Sequence, residues 1–337
     1  MVRFNIPTVM TADELMDLAY HRAAKAVKPA GIKSKLASER ALAIAKLQSI
    51  QDILGSRLKN YVEAFPTIED LHPYYREMVD ILVGVDRLRK SLGALSWAKR
   101  KITGVCSATI SRLKQENNPG AINRQRSAAY GRVSSVLKQI DQDLVFINSS
   151  RDVLRKLPEI DPELPTIVIA GYPNVGKSLL VDRLSSAKPE VAAYPFTTKQ
   201  VSVGHFEIGR ISYQVIDTPG LLDSDPDGKK KIERQAVMSL KHLADLMVFM
   251  LDPSEYCGYP LELQLNLLDR LKTALPDLTV IVIENKSDLK TTDSDRQKIS
   301  ALNNHGIDEL RTEIINELKE KAQSIKAEQQ KKYQESL

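Results

Sequence analysis

Two rhythms of apolar residues divide this 337-residue chain. From about 11 to 157 they recur every three or four positions, the period of an amphipathic helix. Thr11 opens the first helix with T-A-D-E, a box in which Glu14 reaches back to the cap; Leu15, Leu18 and Ala19 follow on one face. A second helix is expected over about 34–64, through Leu36, Ala43, Leu47, Ile50 and Leu54. A third is expected from near 74 towards 116, bent around Gly93 or Gly104. Past the breaker 117-NNPG-120 a fourth runs to about 157, with Val133, Val136, Leu137, Ile140, Leu144 and Ile147 along its seam. Helices of this kind pack as an antiparallel bundle.

The rhythm changes at 158-PEIDPELP-165, where three prolines make a short, stiff linker. Beyond it, short apolar runs alternate with helical stretches: 166-TIVIA-170, 201-VSVGHFEI-208, 211-ISYQVID-217, 245-DLMVFML-251 and 279-TVIVIE-284. Only Gly209-Arg210 separates the second and third, a hairpin signal. The others are nearly continuous, as in strands covered on both faces of a parallel sheet. The expected organisation is α plus α/β. A helical bundle over 1–157 and the linker 158–165 lead to an α/β domain over 166–325, with a mostly parallel sheet and helices on both faces. A polar tail over 326–337 follows, and the last helix, about 306–333, is expected to fray within 328-EQQKKYQESL-337.

Composition adds compartment and charge. At 42 % hydrophobic and 5 % aromatic, the chain supports a large core that must be mostly aliphatic. Cys106 and Cys257 fit no metal or redox spacing and read as buried thiols in a reducing cytosol. No apolar run approaches the ~20 residues that span a bilayer, and the N-terminus lacks an apolar signal core, so a soluble, cytoplasmic protein without membrane contact is expected; a monomer is the expected oligomeric state. Residues 1–160 carry 26 Lys/Arg against 16 Asp/Glu, a net +10, while 161–337 carry 22 against 27, a net −5. Within 87–140 there are twelve basic residues and one acid, Glu116. The basic half suits a polyanionic partner.

The chemistry lies in the second half. The run 171-GYPNVGKS-178 fits G-x-x-x-x-G-K-[ST] between a predicted strand and a predicted helix. Gly171 and Gly176 let the backbone N–H groups of Tyr172, Pro173's neighbours Asn174 and Val175, and Leu179 wrap phosphate oxygens, aided by the positive end of the helix. Lys177 reaches the β- and γ-phosphates and the Ser178 hydroxyl coordinates Mg²⁺. A chance glycine-rich turn is the plain alternative, but further motifs follow in order. At the end of the third strand stands 217-DTPG-220, a good turn in its own right. Asp217 can hold a magnesium-bound water there, the Gly220 amide can sense the γ-phosphate, and Thr218, Pro219 and Leu221 complete a switch segment. After the strand 279–284 comes 285-NKSD-288. The Asp288 carboxylate can accept from both N1–H and the exocyclic amine of guanine, a pair of donors adenine lacks. Asn285 and Lys286 brace the base, and the backbone of Ser300, Ala301 and Leu302 faces the guanine oxygen. Between the first two motifs, 194-YPFTTKQ-200 offers the threonine that completes a magnesium shell when γ-phosphate is present. Thr198 is preferred for this, with Thr197 the near alternative. GTP and GDP are the expected ligands.

The phrases YPNVGKS, YPFTTKQVSVGHF and DTPGLLD resemble the Obg branch of the translation-factor-related GTPases. In the helical half, IPTVMTADELMDLAYHRA, YYREMVDILVGVDRLRKSLGALSWA and GRVSSVLKQIDQDLVFINSSRDVLRKLPEIDPELPTIVIAGYPNVGKS are similar to the nucleolar GTP-binding protein 1 family, in a short form associated with archaea. The resemblance covers nearly the whole chain. It implies a helical domain, a Ras-like P-loop GTPase domain, and a part in assembly of the large ribosomal subunit, with its precursor rRNA and ribosomal proteins as partners. Contacts that eukaryotic members make through a long C-terminal extension are not expected here.

That resemblance gives the basic helices a partner. A charge run alone is usually a solvated face. With ribosomal RNA in view, Arg87, Arg89, Lys90, Lys99, Arg100, Lys101, Arg112, Lys114, Arg124 and Arg126 become candidates for phosphate-backbone contact. Trp97 and Leu95 are candidates for stacking, although a lone helical Trp is more often core. The resemblance also places the chain with GTPases that carry a hydrophobic residue after D-x-x-G. Leu221 cannot orient an attacking water, so hydrolysis to GDP and phosphate is expected to be slow without help. One source of help is K⁺ held by Asn174, as in related potassium-activated GTPases; the equal alternative for Asn174 is a residue bonding its own turn. The other source is a group from the pre-ribosome. Two rival functions remain: a non-catalytic GTP-bound scaffold, and an Obg-like translational or stress GTPase, which the long helical N-terminus disfavours.

Overall fold

The computed structural model describes residues 4–27, 30–32, 34–157, 160–193, 200–217 and 240–335. They form two compact units, one of Phe4–Asp70 with Leu82–Arg155 and one of Leu71–Ile81 with Lys156–Leu337.

The first unit is helical: α1 (Ala12–Ala24), α2 (Lys35–Glu63), then, after α3 (Pro73–Val83), α4 (Val85–Gln115), α5 (Pro119–Gln139) and α6 (Asp141–Leu154). Thr11 caps α1 through both bonds of the capping box: Glu14 N–H donates to Thr11 Oγ1 (3.3 Å), and Thr11 N–H to Glu14 Oε2 (2.8 Å). The breaker at 117–120 is also a cap, since Asn118 Oδ1 accepts from Gly120 and Ala121 N–H and Pro119 occupies the first turn. Leu47, Ile50, Leu54 and Leu58 of α2 and Leu88, Leu95, Ala98, Ile102 and Cys106 of α4 are buried, and α2 and α4 pack along one another. The N-terminal segment is fastened to α6, where Asp141 and Asn148 accept from Ala12 and Val9 N–H.

The helix breaks differ from the sequence expectation. The expected third helix is two, and the break is at Gly84 (φ 79°), a left-handed conformation that glycine adopts at little cost. Gly93 and Gly104 lie inside an unbroken α4. Each costs about 1 kcal/mol relative to alanine in a helix interior, less than the buried face of so long a helix supplies. The expected fourth helix breaks at Ile140 (φ −102°, ψ 8°).

The second unit contains, among the described residues, seven strands: β1 (Thr166–Ala170), β2 (Glu190–Ala193), β3 (Gln200–Ile208), β4 (Ile211–Asp217), β5 (Leu246–Leu251), β6 (Thr279–Glu284) and β7 (Gln297–Lys298). Their order is β2-β3-β4-β1-β5-β6-β7. β4, β1, β5, β6 and β7 run parallel, and β2 and β3 are antiparallel additions at one edge. β1 and β5 are buried at every position, which accounts for their unbroken apolar runs. Besides α3, the unit's helices among the described residues are α7 (Lys177–Leu184), α8 (Leu261–Ala274), α9 (Ile307–Glu317) and α10 (Lys319–Glu335). The expected last helix therefore breaks at Leu318, and α10 extends to Glu335.

The segment 71–81, read from the sequence as part of the bundle, belongs to the sheet unit. Tyr75 on α3 bonds both ways to one residue within the proline-rich stretch: its hydroxyl donates to Ile160 O (2.6 Å) and accepts from Ile160 N–H (3.1 Å). His242 lies 3.4 Å from Glu77 of the same helix.

Candidate nucleotide-binding site

β1 lies between β4 and β5, so the chain departs from it towards both sheet edges. The crevice beyond the carboxyl end of such a strand is where open α/β sheets take ligands. The turn from β1 into α7 is built there. Gly171 (φ 141°) and Gly176 (φ 107°) hold backbone angles closed to other residues, and a Cβ on Gly171 would stand 2.6 Å from Met250 O. A Cβ on Gly176 would strike Asn285 Nδ2. Asn174 (φ 64°) also adopts the left-handed conformation, which Asn tolerates better than most residues. Val175 is fully buried beneath the loop, Tyr172 and Pro173 are half-buried, and the Tyr172 ring lies 4.5 Å from that of Tyr259. Lys177 is buried, its Nζ donating to Gly171 O and Tyr172 O at 2.8 Å each.

Register carries the next group to the same place. Ile169 of β1 pairs with Asp217 at the end of β4, and Asp217 is buried. Ser178 Oγ donates to Asp217 Oδ2. A hydroxyl and a buried carboxylate converging at a strand end are hard oxygen donors that fit Mg²⁺. Thr197, Thr198, Thr218, Pro219, Gly220 and Leu221 lie outside the described residues.

The strand β6 delivers 285-NKSD-288. Asn285 is the brace: Nδ2 donates to Val175 O (2.7 Å) and Oδ1 accepts from Ala301 N–H (3.0 Å), tying the phosphate loop to the 300–302 segment. Lys286 (φ 61°) donates from Nζ to Asp252 Oδ2 at 2.7 Å. Asp288 Oδ1 accepts from Ser300 Oγ at 2.5 Å, which fixes the carboxylate's direction. Ala301 is fully buried, while Leu302 is exposed. These loops enclose a cavity of ≈ 640 Å³, lined by Asn174, Gly176, Leu179, Asn285, Lys286, Asp288 and Leu302, and also by Tyr256 and Leu289. Ligand pockets of about 300–1,000 Å³ are typical.

Tyr256, Leu289 and Asp252 were not among the sequence candidates. Only Asp252, at the end of an apolar strand, carried a signal that could have found it.

Two buried carboxyls stiffen the side of the cavity that carries 285-NKSD-288. Burial pushes Asp252 up, but hydrogen bonds from Lys286, Ser254 and the Cys257 N–H, with the Lys286 charge, outweigh it and hold the group below its ordinary value. Glu284, the last residue of β6, is treated likewise: burial raises it, and bonds from Thr292, Ser294 and Arg296, with the Arg296 charge, hold it below its ordinary value. Groups depressed on folding stabilise the fold fully above their unfolded values, 3.8 and 4.5, and lose that contribution as pH falls through the folded ones. The melting temperature of nucleotide-free protein should accordingly drop steeply below about pH 4.5, and less steeply in Glu284→Gln. Equal slopes in a melting series from pH 7 to 3 would remove Glu284 from this account.

The ten basic candidates belong to the helical unit. Arg87, Arg89, Lys90, Arg100, Lys101, Arg112, Lys114 and Arg124 are exposed; Lys99 and Arg126 are half-buried. Arg132 and Lys138, in the same charge run, are exposed as well. Two expectations need correction. Leu95 is fully buried on the inner face of α4 and is not available for stacking, whereas Trp97 is half-buried. Arg89 has an acidic partner after all, Glu69, which lies outside the charge run in sequence. The Arg87 guanidinium sits 4.1 Å from the Phe146 ring centroid. Both cysteines are buried, as expected, and burial pushes the Cys106 thiol up to about 11. No helix among the described residues is long and apolar enough to cross a membrane.

Comparison with known proteins gives this arrangement a family. Residues 4–161 match the NOG1 N-terminal helical domain, and residues 166–286 match the family described as 50S ribosome-binding GTPase. An uncharacterized protein of Methanocaldococcus jannaschii is 37 % identical over 300 residues, covering 87 % of this chain and 82 % of that one. Nucleolar GTP-binding protein 1 of Eremothecium gossypii is 32 % identical over 320 residues, covering 93 % of this chain and 50 % of its own length. A crystal structure from Plasmodium falciparum, described as a nucleolar GTP-binding protein 1, is 29 % identical with a TM-score of 0.44, covering 54 % of this chain and 100 % of that one. The chain spans about half the length of the yeast relatives it matches. With a helical-domain match running into a P-loop GTPase-domain match, and such identities over most of its length, the chain belongs to the nucleolar GTP-binding protein 1 family.

Proposed function

We propose that the protein binds GTP with Mg²⁺, hydrolyses it to GDP and phosphate, and acts as a switch in assembly of the large ribosomal subunit. The observation that carries this reading is the single cavity onto which the phosphate loop and the 285–288 and 300–302 loops open, each from the carboxyl end of the sheet. The amides of 171–178 and the start of α7 would bind phosphate oxygens, and Lys177 would leave its two loop carbonyls for the β- and γ-phosphates. Ser178 and Asp217, the latter through a water, would hold Mg²⁺, which supplies charge neutralisation at the transferred phosphoryl group. Asp288 would read the guanine edge, with Asn285 and Lys286 as braces. Thr198, or its neighbour Thr197, would complete the switch with Gly220.

Turnover would be slow, because Leu221 has no group to orient water. Asn174 is exposed on the cavity wall; it would hold K⁺ as one source of help, and a pre-ribosomal group would be the other. The exposed basic residues of α4 and α5 would meet rRNA phosphates, with affinity that falls steeply as salt rises. The ribosomal part of the reading is supported by the description of the matching GTPase family and by the names of the relatives.

The test is gradient sedimentation of cell extract at low salt with GTP, GDP or a non-hydrolysable analogue, probing for this protein. Comigration with large-subunit particles in the GTP-like state alone is the expected result, and it should disappear as salt is raised. Sedimentation as free protein in all three states would remove the ribosomal role and leave a GTP-binding protein without it.

A further inference from the structure

One wall of the nucleotide cavity owes nothing to the GTPase motifs. It is the loop between β5 and α8, 252-DPSEYCGYP-260, with Tyr256 at its crown. The loop is held throughout its length. Asp252 accepts from Ser254 N–H (3.0 Å) and Cys257 N–H (2.8 Å), Glu255 accepts from Gly258 N–H (2.9 Å) and from Leu261 N–H (2.9 Å), and Gln264 donates to Tyr259 O (2.8 Å). Glu255 (φ 59°) and Gly258 (φ 90°) both hold left-handed angles, so the turn around Tyr256 is tight.

On this fixed loop Tyr256 stands 79 % exposed. A large aromatic on a floppy loop says little; one presented on a braced turn is a surface prepared for a partner. Nine large hydrophobics are exposed among the described residues, and three of them, Tyr256, Leu289 and Leu302, line this one cavity. The Lys286 ammonium lies 5.3 Å from the Tyr256 ring centroid, and its charge is already engaged by Asp252. A purine has a polar edge, which Asp288 suits, and two π faces on which an aromatic ring stacks well.

We propose that Tyr256 is a nucleotide-affinity residue, packing its ring on the guanine base so that base, Tyr256, Leu289 and Leu302 form one apolar contact. The role rests on the guanine-site reading above. It predicts that Tyr256 acts on the base and not on the phosphates.

Titration calorimetry on the full chain tests it, with GDP and the base-free probe tripolyphosphate. Removing one base–aromatic stack by Tyr256→Ala should weaken GDP binding about tenfold, leave tripolyphosphate binding unchanged, and be rescued by Tyr256→Phe, which keeps the ring. GDP affinity within about twofold of wild type in Tyr256→Ala would overturn the proposal, since even a weak stack exceeds that. Equal losses for GDP and tripolyphosphate would overturn it too, as damage to the loop. Failure of the underlying reading looks different: wild-type protein would then bind GDP no better than CDP, and the role of Tyr256 would fall with it.

Discussion

Replacing Lys177 with alanine should lower the single-turnover rate of GTP hydrolysis by a factor on the order of 10²–10³, the usual effect of deleting one preorganised charge donor. The side chain is buried, and its ammonium is held on Gly171 O and Tyr172 O, so it is already positioned within the phosphate loop before any nucleotide arrives. That arrangement keeps a cation satisfied in a site proposed to take a polyanion. Loss of the ammonium leaves two loop carbonyls without this donor, which costs about 1–3 kcal/mol each if they stay buried and unpaired. A fall in melting temperature is therefore expected alongside the kinetic effect. The two are separable: phosphate release measured well below the melting transition reports the chemistry. Hydrolysis within about threefold of wild type would place the catalytic charge elsewhere.

Asp288→Asn should exchange guanine for xanthine. The carboxylate is steered by Ser300 Oγ and lies on the cavity wall, where it suits a ligand that presents two donors side by side. An amide in its place offers a donor where guanine also donates, and such mismatches between buried polar groups reach factors of about 10⁴. GDP affinity is expected to fall by about a thousandfold or more, while XDP, which carries a carbonyl at the altered position, gains. Calorimetry with the two diphosphates decides it. Unchanged GDP binding in the variant would mean that Asp288 does not read the base.

The parts of the site legible in the sequence are those that chemistry confines to short contiguous strings. Gly171 and Gly176 are forced by close backbone approach, and 285-NKSD-288 by the base edge, so both could be read without a structure. The central strands were legible because burial on both faces leaves them no polar positions. The two-residue β7 and the four-residue β2 carry too little pattern to be seen. Breaks at Gly84, Ile140 and Leu318 were missed because one bent residue barely disturbs a seam that resumes on the same face. Gly93 and Gly104 misled for the complementary reason, since glycine permits a bend without requiring one. Tyr256 and the Arg89–Glu69 pair could not be read at all, because each acquires its role from a partner brought near only by folding.

The placement of α3 sets an order of events during synthesis. Every segment of the helical unit has been made by Arg155, so that unit can close while the remainder of the chain is still being translated. The segment 71–81 is made early as well, yet the body it belongs to begins again only at Lys156. Tyr74, Tyr75, Met78 and Val79, all buried in the finished chain, must therefore wait for a seat, and Tyr75 gains its Ile160 partner only once the proline-rich stretch has emerged. A nascent chain thus carries an apolar helix that the sheet unit must later claim.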